Sequence, residues 1–180
     1  MAAAAMSEGE AGKALWNAAK AGNVEEATRL LEAGAPVSWA DQRFRWSPFA
    51  IAALSERLPL MRLLLEHGAD LEAKDQSGQT ALIMSAANGK ADVTALLLEH
   101  GADLEAKDQS GQTALIMSAA NGKADVMALL LEHGADLEAK DQDGRGVASV
   151  CWGARCRELL GGAERLQRWH RRRSLVVWCA

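Results

Sequence analysis

A 33-residue segment occurs twice in tandem, and this repetition limits the possible folds more than any other property of the chain. Residues 72–104 read EAKDQSGQTALIMSAANGKADVTALLLEHGADL. Residues 105–137 repeat them with one change, Met127 for Thr94. Thirty-two identities in 33 positions do not arise by chance. The frame continues outward in weaker form. Residues 47–71 (SPFAIAALSERLPLMRLLLEHGADL) match at an offset of 33, and residues 14–37 (ALWNAAKAGNVEEATRLLEAGAPV) at a further offset of 34. One residue has therefore been inserted between Gly34 and Ser47. After Leu137 the pattern restarts as EAKDQDGRGVASVCWGA and then degrades. The chain thus reads as four repeats and one partial. A unit of this size is too small to enclose its own core, so it must bury its apolar face against its neighbours.

Within a unit, the residue types predict two helices and a turn-rich connection. Thr80 precedes the apolar run Ala81 to Ala87 and is a good N-cap. Asn88-Gly89 ends that helix, since both residues tolerate a left-handed backbone. A second helix follows from about Ala91 to His100, with Val93, Leu96, Leu97 and Leu98 at core spacing. Gly101 closes it. The following stretch to Gln112 is extended, with a tight turn at Asp108-Gln109-Ser110-Gly111. The many alanines let helices approach closely.

These residues resemble the ankyrin repeat. The third unit supplies Asp75, Gly78, Thr80, Leu82, Ala86, Gly89, Leu97, Leu98, Gly101, Ala102 and Asp103 at the family's positions. The second supplies Ser47, Pro48, Phe49, Ala52, Ala53, Leu64, Leu65, Gly68, Ala69 and Asp70. The resemblance implies an all-α solenoid of stacked helix-turn-helix units with β-hairpin-like fingers, and covers roughly residues 12–160. The units are expected at about 12–38, 39–71, 72–104, 105–137 and 138–160. They follow a flexible Ala-rich stretch, 1–11, and precede a basic tail, 161–180. There are departures. The family's proline is Ala81 and Ala114, though Pro48 keeps it. The family's histidine is Trp16, Ala50, Ile83 and Ile116, so these units depend more on packing. Glu72, Glu105 and Glu138 replace the asparagine that is hydroxylated in some members, so that modification is not expected.

Charge is unevenly distributed. Residues 1–144 carry 12 Lys and Arg against 22 Asp and Glu, a net −10, whereas residues 145–180 carry eight Arg against two Glu. No apolar run approaches the roughly 18 residues of a membrane span. The N-terminus lacks the basic start of a signal peptide. Cys151, Cys156 and Cys179 are an odd, clustered set, which fits reduced thiols inside a cell. The expected setting is intracellular, cytoplasmic or nuclear.

Histidines recur at His67, His100 and His133. They do not read as a zinc site, because packed helices stand about 8–10 Å apart while Zn–N bonds are about 2 Å. They fit exposed helix C-termini, where a partly charged ring suits the dipole. Asp70, Asp103 and Asp136 recur in the same way and form no paired-carboxylate site. Cys151 and Cys156 lack the partners of a metal site. No phosphate loop or nucleophile elbow is present, and Ser85 and Ser118 fall at buried positions. The chain is expected to be no enzyme and to need no cofactor or metal.

Partner binding is the expected function, and the resemblance maps the family's variable contact positions onto particular residues. They are Lys74, Gln76, Ser77, Gln79, Ala87 and Asn88, with copies Lys107, Gln109, Ser110, Gln112, Ala120 and Asn121. The alternative is that these are merely solvated polar positions. A sharper candidate is the irregular finger WADQRFRW, which contains the insertion and lacks the turn glycine. It concentrates Trp39, Arg43, Phe44, Arg45 and Trp46, types enriched in binding hot spots. Its alternative is that Trp39 and Phe44 fold back over the first unit. The tail, with Arg165, Arg168, Arg171, Arg172, Arg173 and Trp169, admits a nucleic-acid or nuclear role. It also admits a capping role through Leu175 to Trp178, or no selected role. The combined expectation is an intracellular scaffold or adaptor, monomeric, that binds another protein and neither membrane nor nucleic acid. The alternative is a regulatory or targeting subunit of a larger enzyme system.

Overall fold

The computed structural model describes residues 6–163 and 165. Each unit contributes a pair of helices. The pairs are α1 (Glu8–Ala21) with α2 (Val24–Glu32), α3 (Pro48–Leu54) with α4 (Leu58–Glu66), and α5 (Ala81–Asn88) with α6 (Ala91–Glu99). The fourth unit pairs α7 (Ala114–Ala120) with α8 (Ala124–Glu132), and the fifth pairs α9 (Val147–Val150) with α10, residues 154–163. Odd-numbered helices stack on one another from α1 to α9, and α2, α4, α6 and α8 form a second column beside them. This is the expected all-α solenoid. Among the described residues there is no strand, only an isolated bridge between Lys140 and Gly146. The fingers are therefore tight turns rather than paired strands.

The repeat period becomes a core of columns. Leu15, Phe49, Leu82 and Leu115 occupy one position in successive first helices, each no more than 2% exposed. Leu30, Leu64, Leu97 and Leu130 form the matching column in the second helices. Ala19, Ala53, Ala86 and Ala119, all buried, keep the first column closely packed. Each fully buried leucine contributes about 1.5–3 kcal/mol relative to exposure, which no single unit can obtain alone. Ile83 and Ile116 are fully buried where the family has histidine, so packing does replace that hydrogen bond. Trp16 is an imperfect substitute: its indole N–H is buried and finds no acceptor among the described residues.

First helices start on hydroxyl caps: Ser47 accepts from the Ala50 N–H (3.1 Å), and Thr80 and Thr113 accept from Ile83 and Ile116 (both 3.4 Å). Residues 8–11 are helical, and Ser7 and Glu10 form a reciprocal capping box at the start of α1. At the other end α10 runs through residue 163.

The single difference between the twin units lies in the core. Thr94 is fully buried, and its hydroxyl meets Ser85 Oγ (3.0 Å) and the Lys90 carbonyl (2.9 Å). Met127, also fully buried, fills the same place with apolar volume, as Met61 does in the second unit.

The fifth unit is shortened inside its first helix. Finger residue Asp141 is in register with Asp108, but Cys156 and Leu160 are buried where Val126 and Leu130 stand one unit earlier, an offset of 30 rather than 33. The missing turn leaves α9 only four residues long. The Trp152 N–H donates to the Ala119 carbonyl (2.8 Å) and ties the shortened unit to the end of α7.

Candidate partner-binding surface

Each finger is built on one aspartate. In the third unit the Asp75 N–H donates to the Gln79 carbonyl (3.0 Å), and the Asp75 carboxylate accepts from Ser77 (2.8 Å) and Gln79 (2.9 Å). Asp108 and Asp141 repeat this arrangement with Ser110 and Gln112, and with Asp143 and Arg145. Gly78 and Gly111 sit at the left-handed corner, with φ of 76° and 75°.

Successive fingers are also bonded to one another. The Gln76 N–H donates to the Phe44 carbonyl (2.9 Å), Gln109 to Ser77 (3.0 Å) and Gln142 to Ser110 (3.0 Å). Side chains reinforce the row: Gln109 Nε2 donates to the Gln76 carbonyl (3.0 Å), Lys74 Nζ to Lys107 (2.9 Å) and Lys107 Nζ to Lys140 (3.1 Å). Glu72 and Glu105 accept from Asp103 and Asp136 of the next unit (both 2.9 Å).

Many of the mapped contact positions therefore have work within the array. Lys74, Lys107 and Gln109 hold neighbouring fingers together, and Asn88 and Asn121 donate to the Met84 and Met117 carbonyls at the ends of their own helices. All five are exposed, so each also faces solvent while making these bonds. The side chains of Gln76, Ser77, Gln79, Ser110 and Gln112 make no hydrogen bond among the described residues. The repetition at a spacing of 33 was the available signal, since a residue that bonds its own copy must recur in register.

The second finger departs from this scheme. Its Asp41 N–H reaches the Trp46 carbonyl (3.1 Å), one residue further than in the later fingers, which places the insertion inside this turn. The Asp41 carboxylate holds the enlarged loop by accepting from Arg43 (3.0 Å), Phe44 (3.0 Å) and Trp46 (2.7 Å). Arg45 takes the corner position at φ 59° in place of glycine. Phe44 stacks on Trp46 with centroids 4.7 Å apart, and the Arg43 guanidinium lies 4.8 Å from the Phe44 ring centroid. The Trp46 indole N–H meets Asp75 of the next finger (3.4 Å).

Two expectations for this finger were in competition, and the structure divides them. Trp39 does fold back: it lies directly over Gly12, where even a methyl group would come within 2.6 Å of its side chain. Phe44 does not; it is 39% exposed, among the few large apolar side chains left in contact with solvent. Arg43 and Arg45 are exposed beside it, and Trp46 is half-buried.

Two stretches of the chain, residues 3–75 and 70–141, match the family model for ankyrin repeats in three copies. The chain belongs to the ankyrin-repeat family. Among curated proteins it is similar to the human 2-5A-dependent ribonuclease, at 34% identity over 67 residues, which is 37% of this chain and 9% of that protein. The mouse 2-5A-dependent ribonuclease shows 32% identity over 71 residues, 39% of this chain and 10% of that protein. The chain thus spans about a tenth of the length of these relatives.

The other recurrent residues are parts of the ankyrin frame. His67, His100 and His133 end the second helices, each ring Nδ1 within 2.8–2.9 Å of the carbonyl four residues earlier. Asp70, Asp103 and Asp136 each accept the N–H two residues on. Ser85 and Ser118 are buried and donate to carbonyls of their own helices, Leu82 and Leu115. Burial pushes the Cys151 thiol up, and the neighbouring Cys156 adds to the shift, so this is a poor nucleophile. Among the described residues no group of three His, Cys, Asp or Glu is arranged to hold a metal ion. No described helix is long and apolar enough to cross a membrane.

At the far end of the ankyrin array a groove of about 530 Å³ opens between α8 and α10, lined by Leu131, Ala135, Leu137, Leu159 and Gly162. It exists because Gly161 and Gly162 stand where the fourth unit has Leu131 and Glu132. Of the tail candidates Arg165 is described and exposed. Arg168, Trp169, Arg171, Arg172, Arg173 and the run Leu175 to Trp178 lie outside the described residues.

Proposed function

We propose that this chain is a non-catalytic interaction module that docks a protein partner on its second finger. Ankyrin repeats generally serve as protein-interaction modules, and the second finger is the one that departs from the regular finger scheme. The observation that carries the reading is the stack of exposed Arg43 and Phe44 on half-buried Trp46, on a loop fixed by three hydrogen bonds to Asp41. A loop already ordered in the free protein loses little entropy on binding. Aromatic and arginine side chains held this way are the usual carriers of interface energy.

The test is affinity capture from cell extract with the whole chain and with Phe44→Ala. The expected result is a captured protein whose recovery falls about tenfold or more in the variant, at unchanged helical circular dichroism. Equal recovery by both proteins removes the finger from the account.

A second reading is a regulatory part of a larger enzyme system. It draws on the relatives, which are named as ribonucleases and match this chain over only 9–10% of their length. Stoichiometric co-purification of one enzyme with the array is the outcome that favours it.

A further inference from the structure

We propose that the partner presents an acidic segment, and that it lies in the groove between the start of α1 and the second finger, paired with Lys13 and Arg43. This rests on the docking reading above and specifies the chemistry of what docks. The groove encloses about 600 Å³, with Lys13, Glu10 and Ser7 on one side and Trp39, Asp41 and Arg43 on the other. Its two carboxylates are engaged internally. Glu10 accepts from the Ser7 N–H (3.0 Å) and hydroxyl (2.8 Å), which hold its carboxyl below the usual range. Asp41 accepts three backbone N–H groups. Its two cations are not engaged in this way. Lys13 and Arg43 are exposed and form no ion pair among the described residues, and Arg45 beside them is likewise unpaired. Glu10 and Asp41 still contribute negative charge, but Glu10 Oε2 and both Asp41 oxygens accept from donors of the protein. The lysine and arginine, hydrated in the free protein, keep donors that a ligand can take up without breaking a bond inside the array.

Several other cations of the array are already used. Lys74 and Lys107 bind neighbouring carbonyls, Lys90 pairs with Glu56, Arg62 with Glu99, and Arg145 with Asp141. Residues 1–144 carry a net −10, from 12 basic and 22 acidic side chains. An acidic segment is therefore repelled by most of this surface and attracted at the groove, which fixes its register. Arg43 both lines the groove and covers the Phe44 ring, so a carboxylate and an apolar side chain next to it in sequence meet adjacent partners. Cations beside aromatics also suit single-stranded nucleic acid. A polyanion, however, carries charge along its whole length across the acidic units, while a short acidic peptide need not.

The experiment selects a phage-displayed library of random dodecapeptides on the full chain. The winning peptides are then measured on Lys13→Glu, Arg43→Glu and Phe44→Ala, with a single-stranded oligothymidylate as a second probe. The expected winners combine Asp or Glu with an apolar residue, weaken about tenfold per charge reversal at low salt, and lose most of that dependence at high salt. Melting temperatures of the variants should match the parent. Neutral or basic winners that need Phe44 but ignore Lys13 and Arg43 overturn the acidic segment and leave the docking reading standing. Winners indifferent to all three variants, or no enrichment, overturn both. Arg43-dependent binding of the oligothymidylate tighter than any peptide also overturns the proposal, in favour of a nucleic-acid site.

Discussion

Replacing Arg45 with glycine should make the protein more stable. Arg45 sits at φ 59° at the finger corner, where Gly78, Gly111 and Gly144 take φ of 76°, 75° and 74°. A β-carbon in the left-handed region costs about 1–2 kcal/mol. Glycine costs about 0.5–1 kcal/mol of additional chain entropy on folding. Taking the middle of each range, the difference predicts that Arg45→Gly stabilises by about 0.7 kcal/mol. Nothing offsets this gain in the folded state, since the Arg45 side chain is exposed and has no ion pair among the described residues. Urea unfolding followed by helical circular dichroism gives the free energy, and a shift in midpoint without a change in slope shows that stability has changed and not the surface exposed on unfolding. The accompanying rise in melting temperature is about 1–4 °C for a domain of this size. An unchanged or lowered midpoint refutes the claim that the finger stores backbone strain. The same substitution removes a cation from the proposed docking patch. Higher stability together with weaker partner binding is the signature of strain retained for function.

Three further predictions concern the frame. Gly12→Ala drives a methyl group to within 2.6 Å of Trp39 and should cost about 1–3 kcal/mol; combining it with Trp39→Ala should recover part of that loss in a double-mutant cycle of urea midpoints. Met127→Thr makes the fourth unit identical to the third and removes apolar volume from a fully buried site, for a loss of about 2 kcal/mol; hydrogen exchange should show the loosening in α8 and its neighbours, not in α2. At the fifth finger, burial disfavours ionised Asp141, but hydrogen bonds from Arg145 and Asp143 outweigh it and hold the carboxyl below its ordinary value of 3.8. Its stabilising contribution is therefore present above the unfolded value and lost as pH falls through the folded one, so the protection of the Asp143 and Arg145 amides, taken as exchange relative to an unstructured chain at the same pH, should fall in acid and stay constant around neutrality.

The stacking was legible because it is periodic. Val93, Leu96, Leu97 and Leu98 were identifiable from helical spacing, and all are buried. The cap at Thr80 and the left-handed stop at Gly89 followed from residue type alone. The finger chemistry was only partly legible. Lys74 and Gln109 read as surface residues, since polar side chains in a turn carry no mark of the carbonyl they will meet a unit away. The start of α1 was hidden by its alanines; the informative pair was Ser7 and Glu10, three residues apart, which is the capping-box spacing. The shortened α9 was also illegible, because a deletion inside a degenerate repeat shows only when Cys156 and Leu160 arrive in the core 30 residues after their counterparts.

The near identity of the third and fourth units has a physical consequence for recognition. A finger side chain copied in register meets its own copy one unit on, and Gln109 on Gln76 or Lys74 on Lys107 then serves cohesion of the array. Residues used in that way are poorly placed to bind anything else. The insertion in the second finger escapes this constraint while keeping the bond that matters for stacking: the Phe44 carbonyl still accepts from Gln76 at 2.9 Å. The added residue is absorbed locally, by a third hydrogen bond to Asp41 and by a strained corner at Arg45. The backbone thus stays in the row while Arg43 and the Phe44 ring project from it. On the proposed reading, recognition belongs where the repeat is broken without being unstacked, as it is in the second finger.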